Sequence, residues 1–453
     1  MFNSEKDFLK EARPLAESLI AYAMTAGKPF GISDVKIAIS ASERQENAVE
    51  KGAVTKVVSG ATCQVSVTLY AGDRTLSFTR NTLDQSTLCA ALLQNMQVIH
   101  IVPENKDKRL LEANKVFKGP RADLDLYDNK PPEQKDLIAY IRQVEAAALA
   151  QPGVKGTRSV SITKSNSHFL ILATNGLDRH ESSTSYQASA NVIAEDASGM
   201  QIDGDYSAAR HFSDMSNPVE LGKSAGQGAV KKLGATLPLT GKMPIVLNHD
   251  AAESFFANVY AAIRGTQVHR GTTFLKDKIG QQVMSKGITL VDDPGIAKGL
   301  SSSQVDSAGL ETKKITFVED GVLKSYNLNL LESRQLGLEP IGRENGTTNS
   351  RILPGALTPE ELISDIQEGI YIKGFNGGSV NVNNGIHSRQ AYGTLIRNGK
   401  ITDIPVDGFV VSGNLKDMFM NVAIANDTPA LPNTRYTLAA PTTRINGITI
   451  SGK

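Results

Sequence analysis

Residues 392–406 read Tyr-Gly-Thr-Leu-Ile-Arg-Asn-Gly-Lys-Ile-Thr-Asp-Ile-Pro-Val. Apolar and polar residues alternate on both sides of Asn398-Gly399. Both turn residues tolerate positive φ, so the stretch predicts two antiparallel strands joined by a tight hairpin. The same signature recurs at Asp320-Gly321, between KKITFVE and VLKSYNL, and at Asn446-Gly447, between TTRI and ITISG. Upstream, Asn175-Gly176 joins strand-like segments at 159–173 and 178–194, and a turn at 197–199 leads into 200–209. Helical patterns at 330–337, 359–366 and 415–425 lie between the later hairpins. Strands that pair with their sequence neighbours give an α+β fold. Its mixed sheets are built from local hairpins with covering helices, unlike a doubly wound parallel sheet.

Working outward, Phe8, Ala12, Leu15, Leu19 and Tyr22 recur at helical spacing, so the chain starts with an amphipathic helix and no signal-peptide core. Strands are expected at 34–42, 54–59, 63–70 and 75–80, and a helix at 84–101. Residues 102–132 carry charge, prolines and little periodicity, and read as a linker or surface excursion. Helices at 133–150 and 218–233 flank the middle strands. A short buried strand at 243–247 then leads to a helix at 250–264. Three units are expected: 1–110, 111–240 and 241–453, in keeping with a length of 453 residues.

Lys and Arg number 48 against 47 for Asp and Glu, so no global field draws nucleic acid or anionic lipid. No run of eighteen apolar residues is present, so no membrane span is expected. Cys63 and Cys89 lack metal-type spacing. They read as buried thiols in a reducing compartment, with a single disulfide as the alternative, and the expected location is cytoplasmic.

A zinc hydrolase needs two or three His or carboxylate ligands on one metal. Seven histidines are scattered, and neither HExxH nor HExxxH occurs. His249 and Glu253 lie four apart, but Asp250 reads as a helix cap with Glu253 bonding back to it. His211 and Asp214, near Asp203 and Asp205, form a second polar cluster that reads as a solvated strand face. His269 and His387 read as loop residues, and Asp292-Asp293 as part of a turn before Pro294-Gly295. Gly374–Gly385 (GFNGGSVNVNNG) has no GK[ST] and reads as a surface loop or bulged turn. From the residues alone, no active site is self-evident.

An ordered series of segments nevertheless resembles one family. VSGNLKDMFMNVAIANDTP (411–429), RGTTFLKDKIG (270–280), KGLSSSQVDSAGLETKK (298–314) and LIRNGKITDIPV (395–406) are similar to the C-terminal region of the TldD/PmbA family, in its PmbA (TldE) branch. The resemblance implies a PmbA/TldD-like fold and a place in a cytosolic metallopeptidase of the TldD/TldE type, acting in peptide maturation and proteolysis. In the TldD branch a helix carries HExxxH. Five residues turn an ideal helix about 500°, leaving the two histidines about 140° apart, so that motif needs a helix end or a distortion. The matching positions here hold Asn258, Val259 and Ile263 in place of histidine, glutamate and histidine. An amide is a poor zinc ligand and the aliphatic side chains have no lone pair. The cysteine that the TldD branch supplies near the C-terminus is likewise missing from 433–452.

The resemblance therefore implies a chain with no catalytic, metal or cofactor-binding residues of its own. The expected partner is a TldD-like, HExxxH-bearing chain that brings zinc to a heteromer; a homodimer is the expectation for the chain alone. Small or unfolded peptides would be the substrates, held by β-augmentation at strand edges of the C-terminal hairpins. The alternatives are a stand-alone hydrolase using His249/Glu253 or His211/Asp214, and a non-enzymatic interaction protein of the gyrase-modulator type.

Overall fold

The computed structural model describes residue 2, residues 4–433 and residues 435–453. Position 434, inside the cysteine-free C-terminal stretch, lies outside the described residues. The first sheet carries helices α1 (Glu5–Ala26), α2 (Gln85–Val98), α3 (Gln134–Leu149) and α4 (Pro218–Val230). Its strands are β1 (Asp34–Glu50), β2 (Ala53–Ala71), β3 (Arg74–Arg80), β4 (Val154–Ala173), β5 (Asp178–Asp196) and β6 (Gly199–Ala209). They hydrogen-bond in the order β3-β2-β1-β4-β5-β6, antiparallel throughout.

Pairing of β1 with β4 (Ile37 opposite Leu172, Ala41 opposite His168) makes one sheet of strands from both sides of residue 110. Two helix pairs cover it. Phe8, Leu19 and Leu92 pack with Ile37, Val67, Leu170 and Leu172. Ile141, Val144 and Leu221 pack with Val160, Ile162 and Ala190. Val160, Ile162, Leu170 and Leu172 share one side of β4 by the period of two, so the helix pairs lie side by side on the same face. The opposite face, at Ile171 and Ala173, receives Leu111, Val116, Ala308 and Leu330. The 102–132 stretch has no long helix or strand, as expected, yet it is pinned to this face.

The remaining elements are β7 (Gly241–Leu247), α5 (His249–Ile263), α6 (Gly265–Arg270), β8 (Leu290–Asp293), β9 (Ile315–Glu319), β10 (Val322–Leu323), α7 (Leu330–Leu336), β11 (Asn349–Ile352) and α8 (Pro359–Ile363). There follow β12 (Glu368–Asn381), β13 (Ile386–Arg397), β14 (Lys400–Asn414), α9 (Leu415–Met420), β15 (Val422–Ile424), β16 (Leu438–Ala439) and β17 (Thr443–Ser451). They form a small sheet, β10-β9-β8-β11-β16, and a six-stranded sheet, β14-β13-β12-β7-β17-β15. β14 also pairs with β17, Val411 opposite Ile450, so five strands close into a ring. The architecture is α+β, as the hairpins indicate.

Asn398-Gly399 makes the expected β13–β14 hairpin, and Asp320-Gly321 a shorter one. Asn446-Gly447 does not turn the chain. β17 runs straight through it, and the pair forms a bulge where the register against β7 shifts between Ile445 and Ile448. Gly374–Gly385 is likewise mostly strand: β12 continues to Asn381 with bulges near Gly374 and Gly377, and only the 382–385 end turns. Ring closure also takes up the edge of β14 at 410–412, a strand edge that sequence left open to a peptide.

Candidate functional site around helix α5

β7 delivers the chain into α5, whose N-cap is Asn248; its side-chain oxygen accepts from the Ala251 amide at 2.9 Å. The cap thus falls two residues before Asp250, and Glu253 makes no capping box. Ala251, Ala252, Phe255, Phe256, Val259, Ala262 and Ile263 form the buried stripe of this helix. They join the main core with Phe317, Phe419, Ile370 and Ile445.

The zinc-motif positions belong to this packing. Asn258 turns its amide back on its own helix, donating to the carbonyls of Ser254 (3.1 Å) and Phe255 (2.9 Å). Val259 and Ile263 are 0% exposed. An amide spent on backbone carbonyls and two aliphatics in a dry core do not fit a zinc ion. Among the described residues, no three His, Cys, Asp or Glu side chains converge as a metal-binding group.

The opposite face of α5 is open. Ala257, Ala261 and Arg264, at helical spacing, are exposed. With Tyr260 they form one wall of a cavity of about 640 Å³. Asn327, Asn329, Glu332 and residues 343–347 form the other. Glu332 accepts from Thr266 and from the Asn329 amide, fixing α7 against α6. Among the described residues, the buried Asn327 side-chain oxygen has no hydrogen-bond partner. The cavity therefore sets a polar wall opposite one made of Ala257, Tyr260, Ala261 and Arg264, which suits an extended polar ligand.

A second cluster surrounds the N-terminal end of α5. His249 Nε2 lies 2.9 Å from Asp427 Oδ2, and Thr442 donates to both oxygens of that carboxylate. The Tyr436 hydroxyl donates to Asp250 at 2.8 Å. Burial, reinforced by the Asp250 charge and opposed by the Leu438 amide, pushes the Glu253 carboxyl up to about 7. The Tyr206 hydroxyl, partly desolvated and facing Glu253 and Asp250, is pushed up to about 12. His249 is thus committed to Asp427 while Glu253 faces Asp250 and Tyr206. The pair does not come together as ligands.

His211 and Asp214 also part company. His211 Nε2 contacts Asp125 (3.1 Å), whereas Asp214 pairs with Lys298 at 2.8 Å. Asp203 pairs with Lys232, and Asp205 with Arg435. His269 sits in α6, exposed. His387 is not a loop residue: it is buried in β13 against the Phe375 ring, and burial pulls its imidazole down to about 4. Asp292 is no turn residue either; it lies within β8, in a buried ion pair with Arg343. Its signal was the β-prone stretch Ile288-Thr289-Leu290-Val291 immediately before it, which continues as a strand through Asp292.

Comparison with known proteins agrees with this architecture. Residues 240–452 match the model of the PmbA/TldA metallopeptidase C-terminal domain, and 127–233 that of the central domain. "Metalloprotease PmbA" of Escherichia coli O157:H7 is 28% identical over 433 residues, covering 93% of each chain. A "Metalloprotease PmbA homolog" of Buchnera aphidicola subsp. Baizongia pistaciae is 30% identical over 352 residues, 76% of each chain. The crystal structure of TldE from Thermococcus kodakarensis superposes with a TM-score of 0.83 at 19% identity, covering 97% of this chain and 100% of that one. A Bacteroides thetaiotaomicron protein proposed to modulate DNA gyrase reaches 0.90 at 23% identity, covering 98% and 100%; both show a shared fold. Matched by two family domains over most of its length and by relatives along nearly all of it, this chain belongs to the PmbA/TldD family of metallopeptidase-like proteins.

Proposed function

We propose that this chain is the PmbA/TldE-like subunit of a cytoplasmic TldD/TldE-type metallopeptidase that processes small or unfolded peptides, and that it supplies no zinc site itself. The observation that carries this reading is the state of α5. Asn258 is hydrogen-bonded to its own helix, and Val259 and Ile263 are sealed in the core. On this reading a TldD-like chain bearing HExxxH brings the metal, and the present chain shapes the peptide's surroundings. The cavity beside Ala257, Ala261 and Arg264 supports that role, because it lies on the same helix and is lined opposite by Asn327, Asn329 and Glu332. The similarity to both PmbA-named and TldD-named relatives is in keeping with a two-chain assembly.

The test combines three measurements. Metal analysis of the purified chain is expected to find no stoichiometric zinc. Hydrolysis of an unfolded protein is expected only when a TldD-like chain is added, and to vanish on chelation. Pull-down from the native host is expected to recover an HExxxH-bearing chain. Zinc bound at one equivalent, with peptidase activity from this polypeptide unaided, would overturn the proposal.

A further inference from the structure

The charged groups lining the cavity beside α5 are engaged by the protein itself, with one exception. Arg343 is held by Asp292 in the core. Glu332 is only 7% exposed and accepts from the Thr266 hydroxyl and the Asn329 amide. Glu344 accepts from the Leu330 amide at 2.8 Å. Burial, opposed by that amide and reinforced by the Asp306 charge, raises the Glu344 carboxyl above the usual range. Arg264 is the exception. Its side chain lines the cavity and is exposed, and among the described residues it has no hydrogen-bond or ion-pair partner.

The backbone holds Arg264 firmly in that wall. The residue is extended (φ −61°, ψ 129°) at the break between α5 and α6. The Asn327 amide donates to the Ile263 carbonyl and the Gly265 amide to the Asn327 carbonyl, each at 2.9 Å, so a short parallel bridge clamps Arg264 on both sides. Its own carbonyl accepts from the Gln267 and Val268 amides. Nearby spare groups are donors. Asn345 uses its side-chain oxygen on the Ser307 amide (3.0 Å), and Gln267 uses its own on the Thr272 hydroxyl. Both side-chain nitrogens are left without an acceptor among the described residues. The unpartnered Asn327 oxygen is buried and adds no acceptor to the cavity surface. A wall whose acids are engaged and whose free groups donate is matched to an anionic, carbonyl-bearing ligand.

We propose that this cavity selects its ligand through a carboxylate, and that the Arg264 guanidinium clasps that group. The inference rests on the peptide-binding reading of the same cavity and names what is recognised on the peptide: a free C-terminus, or an Asp or Glu side chain. A guanidinium presents N–H groups in a planar fork that fits both oxygens of a carboxylate, and such charge-assisted pairs are about twice as strong as neutral ones. The side-chain nitrogens of Gln267 and Asn345 are then available to the carbonyls of the same peptide. Arg264 acts through binding, so in the assembled peptidase it sets KM and leaves kcat unchanged.

Calorimetry on the full chain tests this with three N-acetylated hexapeptides of alanine and serine. One ends in a free carboxylate, one in an amide, and one is the amide with a central glutamate. At least one of the two acidic peptides is expected to bind about tenfold or more tighter than the plain amide, and which one gains identifies the source of the carboxylate. Arg264→Gln, at an exposed site, is expected to abolish the preference, and Arg264→Lys, which keeps the charge without the fork, to retain part of it. Arg397→Gln, an exposed change on β13, is expected to leave it intact. Circular dichroism checks that each variant is folded. Equal affinity for all three peptides, binding of none, or a preference that survives Arg264→Gln would sink the proposal. Hydrolysis by the chain together with a TldD-like partner separates this from the peptidase reading. Activity without a carboxylate preference refutes the Arg264 site alone, whereas a preference that follows Arg264 without any hydrolysis upholds the site and refutes the peptidase.

Discussion

Arg343 Nε donates to Asp292 Oδ2 at 2.8 Å, and neither side chain is exposed at all. Further hydrogen bonds hold both groups. Asp292 also accepts from the Thr348 amide and hydroxyl and from the Ser350 hydroxyl, each at 2.8 Å. Arg343 donates onward to the carbonyls of Gly342 and Lys313. The pair fastens β8 to the segment 342–350, which forms one wall of the cavity beside α5.

Breaking this pair from one side strands a charge in the core. Asp292→Ala is expected to cost about 3–5 kcal/mol in urea unfolding, and Arg343→Met a similar amount. The double variant Asp292→Leu/Arg343→Met leaves no unpaired charge and is expected to cost clearly less than the sum of the single changes. Additive losses would show that the two groups do not act as a unit.

The sequence carried the fold well where the signal was local. Alternation around Asn398-Gly399 and the helical spacing from Phe8 to Tyr22 depend only on neighbours, and both elements stand where expected. Asn446-Gly447 shows the limit. The residue pair that turns a hairpin also makes a bulge, and what decides is whether β7 lies alongside, about 200 residues away in sequence. His387 and Asp292 failed in the same way. A polar side chain in a polar stretch reads as exposed until a distant strand or an arginine 51 positions later encloses it. At α5 the legible part was chemical: Asn258, Val259 and Ile263 cannot bind as histidine and glutamate do. The cavity on the other face was not legible, because its far wall comes from residues 327–347.

Glu253 predicts how stability changes with pH. Its carboxyl titrates near 7 in the folded protein, held up first by burial and then by Asp250, against an ordinary 4.5. The folded state thus holds this proton more tightly than the unfolded chain. The stabilisation is full below about pH 4.5, falls away as the pH rises to about 7 and is lost above it. Because the side chain is only partly buried, solvent screening reduces the effect to about 1–2 kcal/mol between pH 5 and 8. Glu253→Gln, which cannot ionise, is expected to match the wild type near pH 5 and exceed it near pH 8. Urea titrations of both proteins at the two pH values decide the matter, and a constant difference would exclude Glu253 as the source.

Gly447 predicts the outcome of a substitution and a deletion at one position. Its φ of +70° lies in the left-handed region, while a Cβ built there would meet nothing within 4 Å. Gly447→Ala therefore pays for backbone strain alone, about 1 kcal/mol. The bulge it forms does more than bend β17. Before it, Thr443–Ile445 pair with β15; after it, Thr449–Ser451 pair with β14 and close the ring. Ile445, Ile448 and Ile450 are all buried, which a strand with its period of two permits only because the bulge resets the register between Ile445 and Ile448. Gly447→Ala keeps the bulge, whereas deleting Gly447 removes the extra residue and leaves Ile445, Ile448 and Ile450 at even spacing, in register with β7 and still facing the core, so the shortened strand is expected to fold cooperatively. Hydrogen exchange across β14 and β17 would read the outcome, with protection retained in both variants. Protection lost in the deletion alone would mean that the ring needs the bend of the bulge, beyond the register, to close.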